Sequence, residues 1–132
     1  MTDLVTIDVK AGIADVRLNR PDKYNALSPE MFQAIIEAGE SLAEARDVRV
    51  VVLSGNGRGF CAGLDMGNFA AMGNAKPKDG DAGGNPGGRK GLAPRTHGIT
   101  NDPHYAVWVW RELPVPVIAA VHGVAFGGGF QL

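Results

Sequence analysis

The chain has 132 residues, 45% hydrophobic and 20% charged, a composition typical of one globular domain. Thirteen basic and 14 acidic residues are spread along it and give a net charge of -1, so neither nucleic acid nor an anionic membrane is a predicted partner. The single cysteine excludes an internal disulfide, no Cys and His residues have zinc-ligand spacing, and no secretory signal is recognised, so we expect a cytoplasmic protein without a metal.

The first elements predicted are two β-strands. Residues 4–9 and 13–18 are apolar or alternating runs, separated by Lys10, Ala11 and Gly12. This spacing predicts a β-hairpin with a tight turn.

An amphipathic helix is predicted to follow, from Pro29 to about Ala45. Ser28 can accept a bond from a free N–H group, Pro29 suits the first helical position, and Glu30 complements the helix dipole. Gln33, Glu37, Glu40 and Arg46 are expected to face outward. Apolar residues recur at helical spacing at Met31, Ile35, Ala38, Leu42 and Ala45.

Two further buried strands are predicted, at residues 48–54 and 115–121, with a short helix over residues 104–113 before the second. Asp102 is expected to cap that helix, which would bury Val107, Trp108 and one edge of Trp110. Between the first of these strands and the short helix, residues 73–100 are rich in Gly, Pro, Lys, Asp and Asn, a composition typical of a mobile insertion.

Each of these two strands runs into a glycine-rich junction, at residues 55–63 and 123–129, and a further helix is predicted from Gly128. Glycine allows a ligand to approach the backbone closely, and backbone N–H groups held by a scaffold can stabilise a developing negative charge. If the two junctions face one another, one N–H group from each could hold a single oxygen atom. A nucleotide-binding turn is disfavoured because Gly-x-Gly-x-x-Gly is absent.

Three motifs, NRPDKYNALSPEM, GRGFCAGLDM and PVPVIAAVHGVAFGGGFQL, together resemble the amino-terminal half of the crotonase superfamily, also called the enoyl-CoA hydratase/isomerase family. The resemblance implies an α/β fold, a spiral of repeated ββα units of the ClpP/crotonase type, assembled as homotrimers or hexamers. Family subunits are longer, so residues 1–132 are expected to form a partial acyl-CoA-binding core domain.

The resemblance also implies a function, namely an enzyme that binds an acyl-CoA thioester and stabilises its enolate in an oxyanion hole. Coenzyme A is part of the substrate, and no separate cofactor is expected. By motif position, the two oxyanion-hole donors are the backbone N–H groups of Leu64 and Gly128. Lys23 is placed near the CoA phosphates, and the implied substrate-binding residues are Lys23, Ala26, Ala62, Leu64, Asp65, Met66, Gly127 and Gly128.

One catalytic position departs from the family pattern. Hydratases of the family carry their first catalytic glutamate just after the triple glycine, where this chain has Gln131. Glutamine can orient a group but cannot exchange a proton, which makes Gln131 a weak candidate and places the acid or base outside this sequence. A catalytically silent acyl-CoA-binding or assembly subunit is therefore the alternative.

Other reactive side chains are predicted to be structural. Cys61 is interpreted as a small buried residue, because no base lies near it in sequence. Asp65 is expected to accept local backbone bonds rather than to transfer protons. His122 is expected to be packed, with one satisfied nitrogen, and Trp108 and Trp110 to belong to the core or a pocket wall.

Overall fold

The protein is a four-stranded mixed sheet with two helices packed on one face, as seen in a computed structural model that describes residues 3–67 and 97–132. The strand order is β1-β2-β3-β4, and β1 is antiparallel to β2 while the other neighbours are parallel. The α/β class is confirmed, and β1, β2 and α1 form one ββα unit. In chain order the elements are β1 (Val5–Lys10), β2 (Ile13–Leu18), a 3-10 turn (Pro21–Lys23), α1 (Pro29–Glu44), β3 (Val50–Gly55), α2 (Asp102–Glu112), β4 (Val117–Ala119) and α3 (Gly128–Gln131).

The predicted hairpin and first helix are both confirmed. Lys10 pairs with Ile13 across a two-residue turn, in which Ala11 and Gly12 both have positive φ, as tight hairpins prefer. The Ser28 hydroxyl accepts a hydrogen bond from the N–H of Met31 at 3.2 Å and caps α1. The predicted apolar stripe of α1 is buried, apart from the half-buried Ala45 after its end.

The predicted buried strand at residues 115–121 is wrong in extent and in burial. Only Val117–Ala119 pairs with β3, and Ile118 and Val121 are each 55% exposed. Pro116 lacks an N–H group and contributes only its carbonyl, which accepts from Val51, so the ladder begins after it. Within residues 3–67 and 97–132, β4 is also the outermost strand, which leaves one of its edges uncovered.

The predicted strand at residues 48–54 is found as β3, at Val50–Gly55, but it is buried on one face only. Val51 and Leu53 are fully buried, whereas the alternating Val50 and Val52 are half-buried. A run of valines does not by itself distinguish a strand buried on both faces from one buried on a single face.

Helix α2 is capped and oriented differently from the prediction. Asn101, not Asp102, is the N-cap, and its side chain accepts a hydrogen bond from the N–H of His104 at 3.2 Å. The buried positions are Ala106, Val109 and Trp110, followed by Leu113, so they follow an i, i+3, i+4, i+7 stripe. Val107 and Trp108 lie beside this stripe and are only half-buried.

The hydrophobic core lies between the sheet and the two long helices. Buried residues of β2 and β3 meet the stripes of α1 and α2, and Phe60 and Cys61 extend the same cluster to the end of the sheet. No helix within the described ranges combines the length and apolarity required to span a membrane. Of the predicted insertion, residues 73–96 lie outside the described part, and residues 97–100 form a turn closed by two backbone hydrogen bonds.

Packing between the two helices depends on the absence of a side chain at Gly39. A Cβ atom at this position would lie 2.5 and 2.7 Å from the two γ carbons of Val109. We expect Gly39→Ala to lower the free energy of unfolding by about 1–3 kcal/mol through overpacking, although alanine favours helix. Chemical denaturation of the intact protein measures the change. Adding Val109→Ala should recover part of the loss, and strictly additive effects would contradict this contact.

Candidate functional site

The two glycine-rich junctions lie side by side. Cys61 and Ala125 form a parallel bridge, in which the N–H of Cys61 donates to Val124 and the N–H of Phe126 donates to Cys61, both at 3.0 Å. A Cβ atom on Gly129 would lie 2.5 Å from the Cys61 carbonyl oxygen. Only the absence of a side chain therefore lets the two backbones approach this closely.

On its other side, the first junction pairs with the segment that precedes α1. The N–H of Ala62 donates to the Tyr24 carbonyl at 2.8 Å, and the N–H of Leu27 donates to the Gly63 carbonyl at 2.7 Å. The N–H of Asp65 completes the pairing by donating to Leu27 at 3.1 Å. Residues 61–65 are thus a backbone ribbon held between two segments that are distant in sequence.

The backbone N–H groups of Leu64 and Gly128 are both left without a protein acceptor among residues 3–67 and 97–132. Because the residues on either side of Leu64 bond to Leu27, the N–H of Leu64 points to the opposite side of the ribbon. A Cβ atom on Gly128 would lie 2.8 Å from Cδ1 of Leu27, so Gly128 also packs against the segment before α1 to which the ribbon is hydrogen-bonded. Two unpaired donors therefore lie on adjoining segments.

An ion pair fixes the end of the ribbon that follows Leu64. The Arg20 guanidinium donates to the Asp65 carboxylate at 2.7 Å and to the Ala26 carbonyl at 3.3 Å, and Asp65 also accepts from the N–H of Gly67 at 3.0 Å. The bond from Arg20 is the main cause that lowers the pKa of Asp65, and Lys23 adds a smaller effect in the same direction. The bond from Gly67 is the local backbone bond predicted for Asp65, whereas the pair with Arg20 was not predicted.

The remaining predicted binding residues differ in exposure. Ala26 is buried, Lys23 lies in the exposed 3-10 turn, and Met66 is 71% exposed. Gly127 immediately precedes α3, with a positive φ of 51°. Of these residues, Ala26 and Asp65 are brought together, because the Arg20 guanidinium donates to both of them.

Gln131 lies in α3 and is exposed. Together with the neighbouring Leu132, it lines a cavity of about 510 Å³ whose wall includes Trp108, Trp110 and Arg111. The tryptophans thus contribute to a pocket wall, one of the two roles predicted for them. Trp108 donates its indole N–H to Glu112 at 2.7 Å.

The predictions for Cys61 and His122 have different outcomes. Cys61 is buried, as predicted, and burial raises the pKa of its thiol, which therefore stays neutral. His122 was predicted to be packed, with one satisfied nitrogen. It is exposed, three residues beyond the end of β4, so the predicted packing is wrong, whereas its Nε2 lies 2.9 Å from the Gly57 carbonyl oxygen and is satisfied as predicted. Within the described ranges, no three His, Cys, Asp or Glu residues are placed to hold a metal ion.

Two residues that organise the site, Asn25 and Arg20, were missed in the sequence. Asn25 is fully buried and donates its side-chain amide to three backbone carbonyls of the loop after β3. Both residues lie inside the motif NRPDKYNALSPEM, but the carboxylate that Arg20 binds and the carbonyls to which the Asn25 amide donates are more than 30 positions away. The only local indication for Asn25 was an asparagine between Tyr24 and Ala26, in a segment where neither a helix nor a strand was predicted.

The sequence is similar to one known protein family and to several of its members. The sequence pattern of the enoyl-CoA hydratase/isomerase family matches residues 8–132. A 1,2-epoxyphenylacetyl-CoA isomerase of Escherichia coli (strain K12) is 33% identical over 134 residues, 100% of this chain and 45% of that protein. A hydroxycinnamoyl-CoA hydratase-lyase of Pseudomonas fluorescens is 33% identical over 130 residues, 96% of this chain and 41% of that protein.

The fold has close structural counterparts as well. A solved structure from Pseudomonas aeruginosa superposes with a TM-score of 0.75 at 32% identity, covering 99% of this chain and 50% of that one. The predicted crotonase-like fold is confirmed by this and similar structures. The chain spans half or less of the length of the proteins named here.

The close approach of the two junctions can be tested at Gly63. A Cβ atom there would lie 2.6 Å from the Phe126 carbonyl oxygen, and the φ of 82° is unfavourable for alanine. Gly98 is the matched control, because its φ of 54° is also positive but a Cβ atom would meet nothing within 4 Å. We expect Gly63→Ala to cost about 1–3 kcal/mol more unfolding free energy than Gly98→Ala. Equal costs, measured by chemical denaturation, would mean that the junctions are not in contact.

The ion pair between Arg20 and Asp65 predicts a pH dependence of stability. Since the folded-state pKa of Asp65 is lowered, its contribution is complete above the unfolded pKa of about 3.9 and is lost as the pH falls through the folded value. We expect Asp65→Asn to cost about 1 kcal/mol at neutral pH and nothing in strong acid. Unfolding free energies across this pH range test it. Asp15→Asn, which removes a more exposed pair with Arg17, is the control and should have a smaller effect; a pH-independent loss at Asp65 would contradict the prediction.

Proposed function

Because the chain belongs to the enoyl-CoA hydratase/isomerase family, we propose that the whole protein acts on an acyl-CoA thioester and stabilises its enolate through the backbone N–H groups of Leu64 and Gly128. The observation that carries this proposal is that these two groups have no acceptor within residues 3–67 and 97–132 although they lie on adjoining, hydrogen-bonded segments. Unpaired donors on a fixed backbone are suited to an oxygen atom that arrives with the substrate.

The chemistry follows from where the charge develops. Removing a proton beside the thioester carbonyl, or adding a nucleophile to a conjugated double bond, moves an electron pair onto the carbonyl oxygen. Two N–H donors that are already oriented stabilise this oxygen without reorganisation, and each such donor contributes about 3 kcal/mol to lowering the barrier. The backbone of Leu64 is held by the pairing of its neighbours with Leu27, which keeps the donor direction constant.

Binding of the CoA moiety is assigned to the residues around this ribbon. We place the phosphates near Lys23, whose exposed side chain carries a positive charge, and the thioester arm along Ala26, Ala62 and Met66. Asp65 does not supply the proton in this scheme, because Arg20 keeps it ionised. The proton-transferring group is therefore expected from another part of the whole protein.

A silent acyl-CoA-binding or assembly subunit is the second candidate, and Gln131 is the observation that favours it. Its amide lies in α3, three residues after the Gly128 donor, and cannot exchange a proton. Such a protein would bind the thioester and polarise its carbonyl without turnover. The homotrimeric or hexameric assembly and the cytoplasmic location stay predictions.

The proposal is tested by incubating the intact protein with saturated, 2-enoyl and 3-enoyl CoA thioesters and identifying the products. We expect turnover of an unsaturated thioester and a fall in kcat of about 100-fold or more in Gly128→Val, because the added side chain disturbs the donor beside Leu27. Ala43→Val, on the exposed face of α1, is the control and should keep full activity.

The outcomes separate the two candidates. Tight binding without turnover of any thioester would favour the silent subunit. A protein that neither binds nor converts any of these thioesters would contradict both. Full activity of Gly128→Val would contradict the assignment of this donor.

A further inference from the structure

The side chain of Asn25 is the most extensively bonded buried polar group of the site. Its Nδ2 lies 3.0 Å from each of the carbonyl oxygens of Asn56, Gly59 and Phe60, and its Oδ1 accepts from the N–H of Arg20 at 2.8 Å. No part of Asn25 is exposed to solvent. All of the polar atoms of this carboxamide are therefore occupied by backbone groups.

The backbone of Asn25 has an unfavourable conformation that these bonds maintain. Tyr24 and Asn25 both have positive φ values, 49° and 55°, a left-handed conformation that is unfavourable for most residues, although asparagine tolerates it better. The Cys61 thiol donates to the Asn25 carbonyl at 3.1 Å. The strained turn is thus bonded both to the loop after β3 and to the ribbon.

This turn determines where the ribbon lies. Tyr24, immediately before Asn25, accepts from Ala62, and Leu27, two residues after it, bonds to the residues on either side of Leu64. A displaced Asn25 would shift both pairings and would change the direction of the Leu64 N–H group. Misplacement of a catalytic group by about 1 Å can reduce a rate by about 100-fold.

We infer that Asn25 is a positioning residue for the oxyanion hole, which orients the Leu64 N–H group by locking residues 24–27 to the loop after β3. The inference rests on the proposed function and extends it, because Asn25 touches no substrate and acts only through the ribbon. Its carboxamide is required as a hydrogen-bond donor. A carboxylate of the same shape would place negative oxygen against three carbonyl oxygens.

The decisive measurement is the infrared C=O stretch of bound butanoyl-CoA carrying ¹³C at its thioester carbonyl. Hydrogen bonds in an oxyanion hole lower this frequency, so the unsubstituted protein should show a shift to lower frequency relative to water. We expect Asn25→Asp to lose most of the shift and to lower kcat about tenfold or more, with little change in the affinity for butanoyl-CoA. A mere loss of stability would leave the shift of the folded, bound fraction unchanged.

Acidic pH provides a second readout for Asn25→Asp. Burial among carbonyl oxygens should raise the pKa of the introduced carboxyl group, and its protonated form can donate one hydrogen bond again. Part of the frequency shift should therefore return as the pH falls. Asn101→Asp is the control, because Asn101 is also buried but caps α2, where its side-chain oxygen accepts from the N–H of His104 and an aspartate can accept in the same way; it should retain the shift at all pH values.

A milder variant covers the case in which Asn25→Asp does not fold. Cys61→Ala removes only the thiol that donates to the Asn25 carbonyl, and we expect a smaller loss of the shift in the same direction. Two results would overturn the inference. If Asn25→Asp folds, a full shift in both variants together with full kcat in Cys61→Ala would do so. If Asn25→Asp does not fold, a full shift and full kcat in Cys61→Ala alone would do so. Absence of any shift in the unsubstituted protein would instead contradict the proposed oxyanion hole.

Discussion

The site depends on one buried carboxamide. The Asn25 side chain is removed from water, and this is energetically acceptable only because backbone groups satisfy its donors and its acceptor. The partners belong to the turn after β2 and to the loop after β3, two segments that leave neighbouring strands of the sheet. The hydrogen-bonding requirement of a single amide thus becomes a constraint on the geometry of the ribbon at residues 61–65.

Local patterns in the sequence predicted the elements that local physics determines. The hairpin, the Ser28 cap and the stripe of α1 depend on neighbours within a few residues, and all three were confirmed. Burial of β3 and β4 was overestimated, because it depends on what covers each face and edge. For α2, both Asn101 and Asp102 are good N-caps, and sequence alone did not decide between them.

The candidate site was predictable to a different degree. The three motifs identified the family. The glycines were predicted to admit a ligand to the backbone, and this stays a prediction; in the structure they allow the two junctions to approach each other, as the bridge between Cys61 and Ala125 shows. The roles of Asn25 and Arg20 were not predictable, since a polar residue in a turn gives no indication of distant carbonyls or carboxylates. Their importance follows from their burial and from their bonding partners in the folded chain.

The arrangement of the ribbon between two distant segments has a kinetic consequence. Asn25 and Cys61 are 36 positions apart, and Gly57 and His122 are 65 positions apart, so the site is built from contacts that each close a long loop. Loop closure costs entropy before the contacts compensate for it, and folds with many such contacts are slow to form. The hairpin and α1 are local structures, and we therefore expect them to form before the Leu64 and Gly128 amides acquire their orientation.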